Sequence, residues 1–218
     1  MKGVILYVHG KDGSAAESEH YRALFPDCEV VGLDYHGDTP WEAGKEILDV
    51  VNNLKTGYEN IILVANSIGA FFSMNAGIDR LIKNAYFISP IIDMEKLITE
   101  MMQWAHVTEE ELKSKGIIHT AFGEALSWEY LCYVREHPIG WTVPTKILYG
   151  SRDNLTSLET ISGFTEKHGA MLTVMEGGEH WFHTDEQIQF LDDWIRRKEK
   201  EWIQNYLHRR SSNSWAGC

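Results

Sequence analysis

"NIILVANSIGAFFS", Asn60 to Ser73, is the stretch on which the reading of this chain turns. Ile61, Ile62, Leu63, Val64 and Ala65 form a short, unbroken apolar run, which reads as a strand buried on both faces. Ser67 follows, with Ala65 two residues before it and Gly69 two after. The apolar pattern then resumes at helical spacing from about Ser67 to Gly77. A strand that runs into a serine and leaves as a helix needs a sharp bend, and small residues on either side let the two elements close around it. Such a turn costs about 1–3 kcal/mol of backbone strain. A nucleophile pushed out of the line of the chain is a use for that strain. The small-x-Ser-x-Gly pattern by itself is weak, since composition alone produces it in roughly one chain in six of this length. Its bland reading is a serine that caps a helix. The strand before it and the helix after it give it weight.

The flanking sequence repeats the same alternation. "GVILYV" (Gly3–Val8) is a buried strand, "SAAESEHYRALF" (Ser14–Phe25) a helix, "EVVGLDY" (Glu29–Tyr35) a strand. "PWEAGKEILDVVNNLK" (Pro40–Lys55) is a helix with proline in its first turn. "NAYFISPII" (Asn84–Ile92), "TKILYGS" (Thr145–Ser151) and "MLTVME" (Met171–Glu176) are three further strands, and a last helix starts near Asp185. Six apolar strands alternating with helices predict an α/β fold, a doubly wound and mostly parallel six-stranded sheet covered on both faces. One domain over residues 1–218 accommodates this, with an insertion at 93–143 and a frayed tail at 209–218. The insertion reads as three helices, "MEKLITEMMQWAH", "TEEELKSKG" and "EALSWEYLCYV", forming a helical cap over one edge of the sheet.

In such sheets ligands bind at the carboxyl ends of the strands. A serine hydroxyl there needs a base within hydrogen-bond reach and a carboxylate to orient that base. Asp153 stands just past the fifth strand in "ILYGSRDNLT", and His180 just past the sixth in "TVMEGGEHWF". Ser67, Asp153 and His180 thus fall in the order Ser…Asp…His on loops after three different strands. In "ANSIG", "GSRDNLT" and "GGEHWF" the chain resembles the α/β-hydrolase family, and the resemblance runs from Val4 to about Ile195. It implies a serine nucleophile at Ser67, a general base at His180 and its orienting acid at Asp153. "LYVHGKDGS" adds the His9–Gly10 turn that follows the first strand in many α/β-hydrolases. Carried over by position, the backbone N–H groups of Lys11 and Ile68 form the oxyanion hole. The sequence departs from the family's full pattern in two ways. The sheet begins at the family's third strand, and Ala65 replaces the commoner glycine of the elbow.

Composition sets the outer limits. Of 218 residues 44% are hydrophobic and 24% charged, an ordinary globular balance. The net charge of −12 argues against nucleic-acid binding and against docking on anionic membranes. Cys28, Cys132 and Cys218 are widely spaced and form no CxxC pair, which reads as a reduced thiol set in the cytoplasm. No secretory leader is read in "MKGVILYVHG", because His9 and Gly10 end the apolar run too early. No apolar stretch approaches the length of a transmembrane helix. The histidines show no HExxH and no ligand-spaced cluster, so neither a metal nor a cofactor is expected.

Rival residues have local explanations. Asp93 reads as the cap of the following helix, although some family members carry the acid at that position. His183, three residues past His180, lies beyond the place the family gives its histidine. Ser14, Ser89 and Ser151 read as cap, strand-end and turn residues, and His36 as a turn residue. "HGKDGS" lacks the spacing of a phosphate-binding P-loop. The insertion carries Met101, Met102, Trp104, Phe122, Trp128, Tyr130, Tyr133 and Trp141, most of them packing and the remainder a wall for an acyl or aromatic group. The resemblance implies a carboxylesterase-like serine hydrolase that encloses a small-molecule substrate. An amide or thioester hydrolase, such as a small-peptide aminopeptidase, needs an anionic anchor for a free amine, and Glu100, Glu124 and Glu129 are its candidates. A binding protein on the same fold is the alternative outside enzymes. Substrate and oligomeric state are not written in the sequence.

Overall fold

The computed structural model describes residues 3–198. The expected tail at 209–218, with Cys218, lies outside the described residues. Six strands form one parallel sheet: β1 (Gly3–Val8), β2 (Cys28–Leu33), β3 (Asn60–Asn66), β4 (Asn84–Ile88), β7 (Thr145–Gly150) and β8 (Met171–Met175), in the order β2-β1-β3-β4-β7-β8. The chain leaves β1 towards one edge to make β2, then returns to the other side of β1 to make β3. The sheet order therefore reverses between β1 and β3, and the crevice at their carboxyl ends is where such sheets bind ligands.

The unbroken apolar runs have a two-sided explanation. Val4, Leu6 and Val8 join one apolar cluster while Ile5 and Tyr7 join another, and Ile61, Leu63 and Ala65 alternate with Ile62 and Val64 in the same way. A strand turns successive side chains to opposite faces, so a strand covered on both must be apolar throughout. One face is packed by α1 (Pro40–Lys55), α2 (Ile68–Asn75) and α6 (Leu158–His168). The other is packed by the residues around a 3-10 helix (Ala15–Ala23) and by α7, at 185–198, through Leu191, Trp194 and Ile195. The edge strands β2 and β8 are the less buried ones.

One expectation about local structure is refined and one is corrected. The first helix is 3-10 in form. Its buried positions Ser18, Tyr21 and Leu24 recur every three residues, the 3-10 period, and it lies so close to β2 that a Cβ at Gly32 would sit 2.3 Å from Ala15 O. The segment between β4 and β7 holds α3 (Met94–Trp104), α4 (Glu109–Lys115) and α5 (Trp128–Glu136), but "EALS" is not helical. Ala125–Ser127 is β6, which pairs antiparallel with β5 (Ile117–His119). Gly123, with φ 91°, supplies the left-handed turn residue of that hairpin. Arg135 of α5 joins the segment's helices: its Nε reaches Glu95 at 2.7 Å, and its two terminal nitrogens hold both oxygens of Glu109 at 2.8 and 2.9 Å. Among the described residues, no helix is long and apolar enough to cross a membrane.

Candidate active site

Ser67 sits between β3 and α2 with φ 51° and ψ −121°, a conformation that side chains other than glycine rarely adopt. Its backbone is gripped by β4 and the turn after it: its N–H donates to Ile88 O at 3.0 Å, and its carbonyl accepts from Ile91 N at 3.1 Å. Gly69 explains the small residue after the bend. A Cβ there would lie 2.3 Å from His9 O and 2.7 Å from Val8 O. Gly10 is pressed against the serine in the same way, its Cβ position lying 3.1 Å from Ser67 Cβ. The loop after β1 and the bend after β3 thus meet at the point where the sheet order reverses. Ala65 is fully buried, and its methyl is accommodated in the core.

The three residues expected from the loops after β3, β7 and β8 come together. Ser67 Oγ lies 2.8 Å from His180 Nε2, and His180 Nδ1 lies 2.7 Å from Asp153 Oδ2. A carboxylate can only accept, so Nδ1 carries the proton and Nε2 is left to accept from the serine hydroxyl. The Asp153 side chain is 0% exposed and that of His180 15%. The other carboxylate oxygen of Asp153 is also engaged, accepting from Leu155 N at 2.8 Å and Thr156 N at 3.0 Å.

The acid and histidine turns are built back to back. A Cβ at Gly150 would sit 2.5 Å from the Gly178 carbonyl, so only glycine lets them close. Arg152 N donates to Gly178 O at 2.8 Å and Gly177 N to Ser151 Oγ at 2.8 Å. Ser151 is therefore a turn residue that ties the two loops.

Of the two residues expected to supply N–H donors, Ile68 directly follows the serine and Lys11 follows Gly10, which packs against it. Ile68 opens α2, so its N–H has no acceptor within the helix. Lys11 follows Gly10 in the loop packed on Ser67, and its ammonium pairs with Glu124 of the loop between β5 and β6. The β1 loop is held from beneath. His9 is buried and stacks on Tyr35 with ring centres 4.3 Å apart, and the Tyr35 hydroxyl donates to His9 O at 3.1 Å. Burial, with Asp38 and Glu17 nearby, pushes the Tyr35 phenol well above its ordinary value, so it stays a donor.

Most of the rival residues are elsewhere occupied; Ser89 is the exception, its hydroxyl buried at the end of β4 without a hydrogen-bond partner among the described residues. Asp93 caps α3 by accepting from Lys96 N at 2.9 Å. The ring of His183 faces Trp181 O and stacks on the Trp181 indole. His36 lies beside Glu46 on the surface. Ser14 N donates to Glu17 at the head of the 3-10 helix. Of the aromatic groups in the 93–143 segment, Trp141 is a core residue, packed on Phe87 with its indole N–H on Thr145 Oγ1 at 2.7 Å. Tyr130 and Tyr133 pack against Trp41 of α1, while Trp104 and Phe122 face each other edge-on at the surface. Among the described residues, no group of three or more His, Cys, Asp and Glu side chains is arranged to hold a metal ion.

No protein-family model matches the chain, and no curated protein matches it. Solved structures do. Est1E from Butyrivibrio proteoclasticus, in its structure with ferulic acid bound, superposes with a TM-score of 0.72 at 19% identity, over 93% of this chain and 90% of that one. Alpha/beta hydrolase domain-containing protein 10 from mouse gives 0.71 at 18% identity, over 91% and 90%. The Pyrococcus furiosus esterase PF2001 gives 0.59 at 20% identity, over 95% and 82%.

Proposed function

From an α/β-hydrolase fold whose sheet reversal carries this serine, we propose that the protein is a serine hydrolase of small ester substrates, carboxylesterase-like in chemistry. The carrying observation is the continuous array from Ser67 Oγ through His180 to buried Asp153, at 2.8 and 2.7 Å. In this reading His180 takes the serine proton as Ser67 Oγ attacks the ester carbonyl. The backbone N–H groups of Lys11 and Ile68 receive the negative oxygen of the tetrahedral intermediate, and loss of one such donor costs about 3–4 kcal/mol of barrier. His180 returns the proton to the leaving alcohol. Water, activated by the same imidazole, then releases the acid and frees Ser67. Asp153 holds the imidazole in the required tautomer and stabilises its charge.

The esterase name of the Pyrococcus furiosus neighbour favours an ester over an amide. So does the state of Glu124. Of the three glutamates considered as amine anchors, it is the one tied to the loop beside Ser67, and Lys11 already neutralises it.

The test is intact-mass labelling with a fluorophosphonate, followed by p-nitrophenyl esters of increasing acyl length beside matched anilides and thioesters. A single adduct on the wild type, none on Ser67→Ala, and turnover of the esters above the anilides is the expected result. A folded wild type that takes no adduct refutes the reading and leaves a binding protein on the hydrolase fold.

A further inference from the structure

Tyr149, the penultimate residue of β7, is 2% exposed and packs in the apolar cluster with Ile147 and Phe87. Phenylalanine would satisfy that packing. The hydroxyl has a separate engagement: it donates to the Thr156 carbonyl at 2.8 Å. Thr156 closes the turn whose N–H groups hold Asp153 Oδ1. Its own hydroxyl reaches Pro90 O at 3.4 Å, in the turn that grips the backbone of Ser67 through Ile88 and Ile91. Ser89 N donates to Leu148 O at 2.9 Å, one residue before Tyr149. The serine and the aspartate are thus joined twice: once through His180, and once behind it, along β4, β7 and the Tyr149 hydroxyl.

We propose that Tyr149 is a positioning residue, whose hydroxyl sets the Asp153–Thr156 turn so that Oδ2 meets His180 in register with Ser67. Burial pushes the Tyr149 phenol up, and the nearby Asp153 carboxylate adds to the shift, so the group remains a donor across the working pH range. The inference rests on the serine-hydrolase reading above.

The experiment measures fluorophosphonate inactivation rates and ester turnover per titrated site for the wild type, Tyr149→Phe, Asp153→Asn and the double variant. Tyr149→Phe is expected to slow inactivation and kcat about fivefold, the ratio that a lost hydrogen bond of ordinary net strength gives, with KM unchanged. In the Asp153→Asn background the same substitution is expected to have no further effect, because a residue that acts through Asp153 has nothing left to position. Thr156→Val, which removes the second strut of the turn, is expected to slow kcat by about threefold and supplies the test if Tyr149→Phe does not fold. A wild-type rate per titrated site in Tyr149→Phe, whatever its Tm, overturns the proposal and leaves the hydrolase reading standing. So does an equal effect of Tyr149→Phe in both backgrounds. A wild type inert to the probe overturns both.

Discussion

Replacing Gly69 by alanine places one methyl where the structure has no room. The new Cβ would lie 2.3 Å from His9 O and 2.7 Å from Val8 O, short of ordinary van der Waals contact by about 1 Å. Neither neighbour is the end of a flexible side chain, since both are carbonyls at the end of β1, a strand buried along its whole length. Gly69 sits in α2 with ordinary helical backbone, so alanine itself fits the conformation and the clash is the whole perturbation. Two responses are open. Either α2 withdraws and carries Ser67 with it, or the end of β1 yields and carries Gly10 and Lys11. Overpacking of this kind costs about 1–3 kcal/mol of stability, which in a chain of this size lowers Tm by roughly 2–12 °C. The effect on chemistry is larger, because either movement displaces the nucleophile or a proposed oxyanion donor, and a misplacement near 1 Å costs on the order of 100-fold in rate. The assay is ester turnover per titrated site beside thermal unfolding. A folded Gly69→Ala with the rate and Tm of the wild type would refute the claim that this glycine is fixed by the approach of β1 to the bend.

Other substitutions read different terms. Ser67→Gly is expected to be inactive yet more stable than the wild type by about 1 kcal/mol in denaturant unfolding, because the strain of a positive φ, about 1–3 kcal/mol, outweighs the added freedom of the unfolded chain. Gly163 stands inside α6, and no atom lies within 4 Å of the place its Cβ would take, so Gly163→Ala should raise stability by about 0.5–1 kcal/mol without touching turnover. The Arg135 hydrogen bonds hold the Glu109 carboxyl below its ordinary range, so their contribution is present above that range and is lost as pH falls through the lowered value. Protection factors of the α4 and α5 amides, which are corrected for the intrinsic pH dependence of exchange, are therefore expected to fall on acidification in the wild type, and to lose that pH dependence in Arg135→Gln.

Much of this molecule is determined by residues close together in sequence. Five apolar residues before Ser67 make a strand buried on two faces, and Ala65 and Gly69 mark the bend. The order Ser67, Asp153, His180 follows from strand ends, because parallel strands deliver their loops to one edge of the sheet. Local pattern was weaker where the period was short or mixed. It did not distinguish the 3-10 form of the first helix and it placed "EALS" in a helix, although Ser18, Tyr21 and Leu24 recur at intervals of three and the β-branched pair Ile117–Ile118 precedes Gly123. The tertiary structure alone decided what holds the site: Gly150 against Gly178, Tyr149 on Thr156, Ile91 on Ser67, Lys11 on Glu124. Apart from Tyr149 and Thr156, which are seven residues apart, these contacts join residues far apart in the chain, and most of them use backbone atoms that every residue carries. Side-chain periodicity reports which face of an element is buried, and it carries no record of which backbone groups will meet when the faces close.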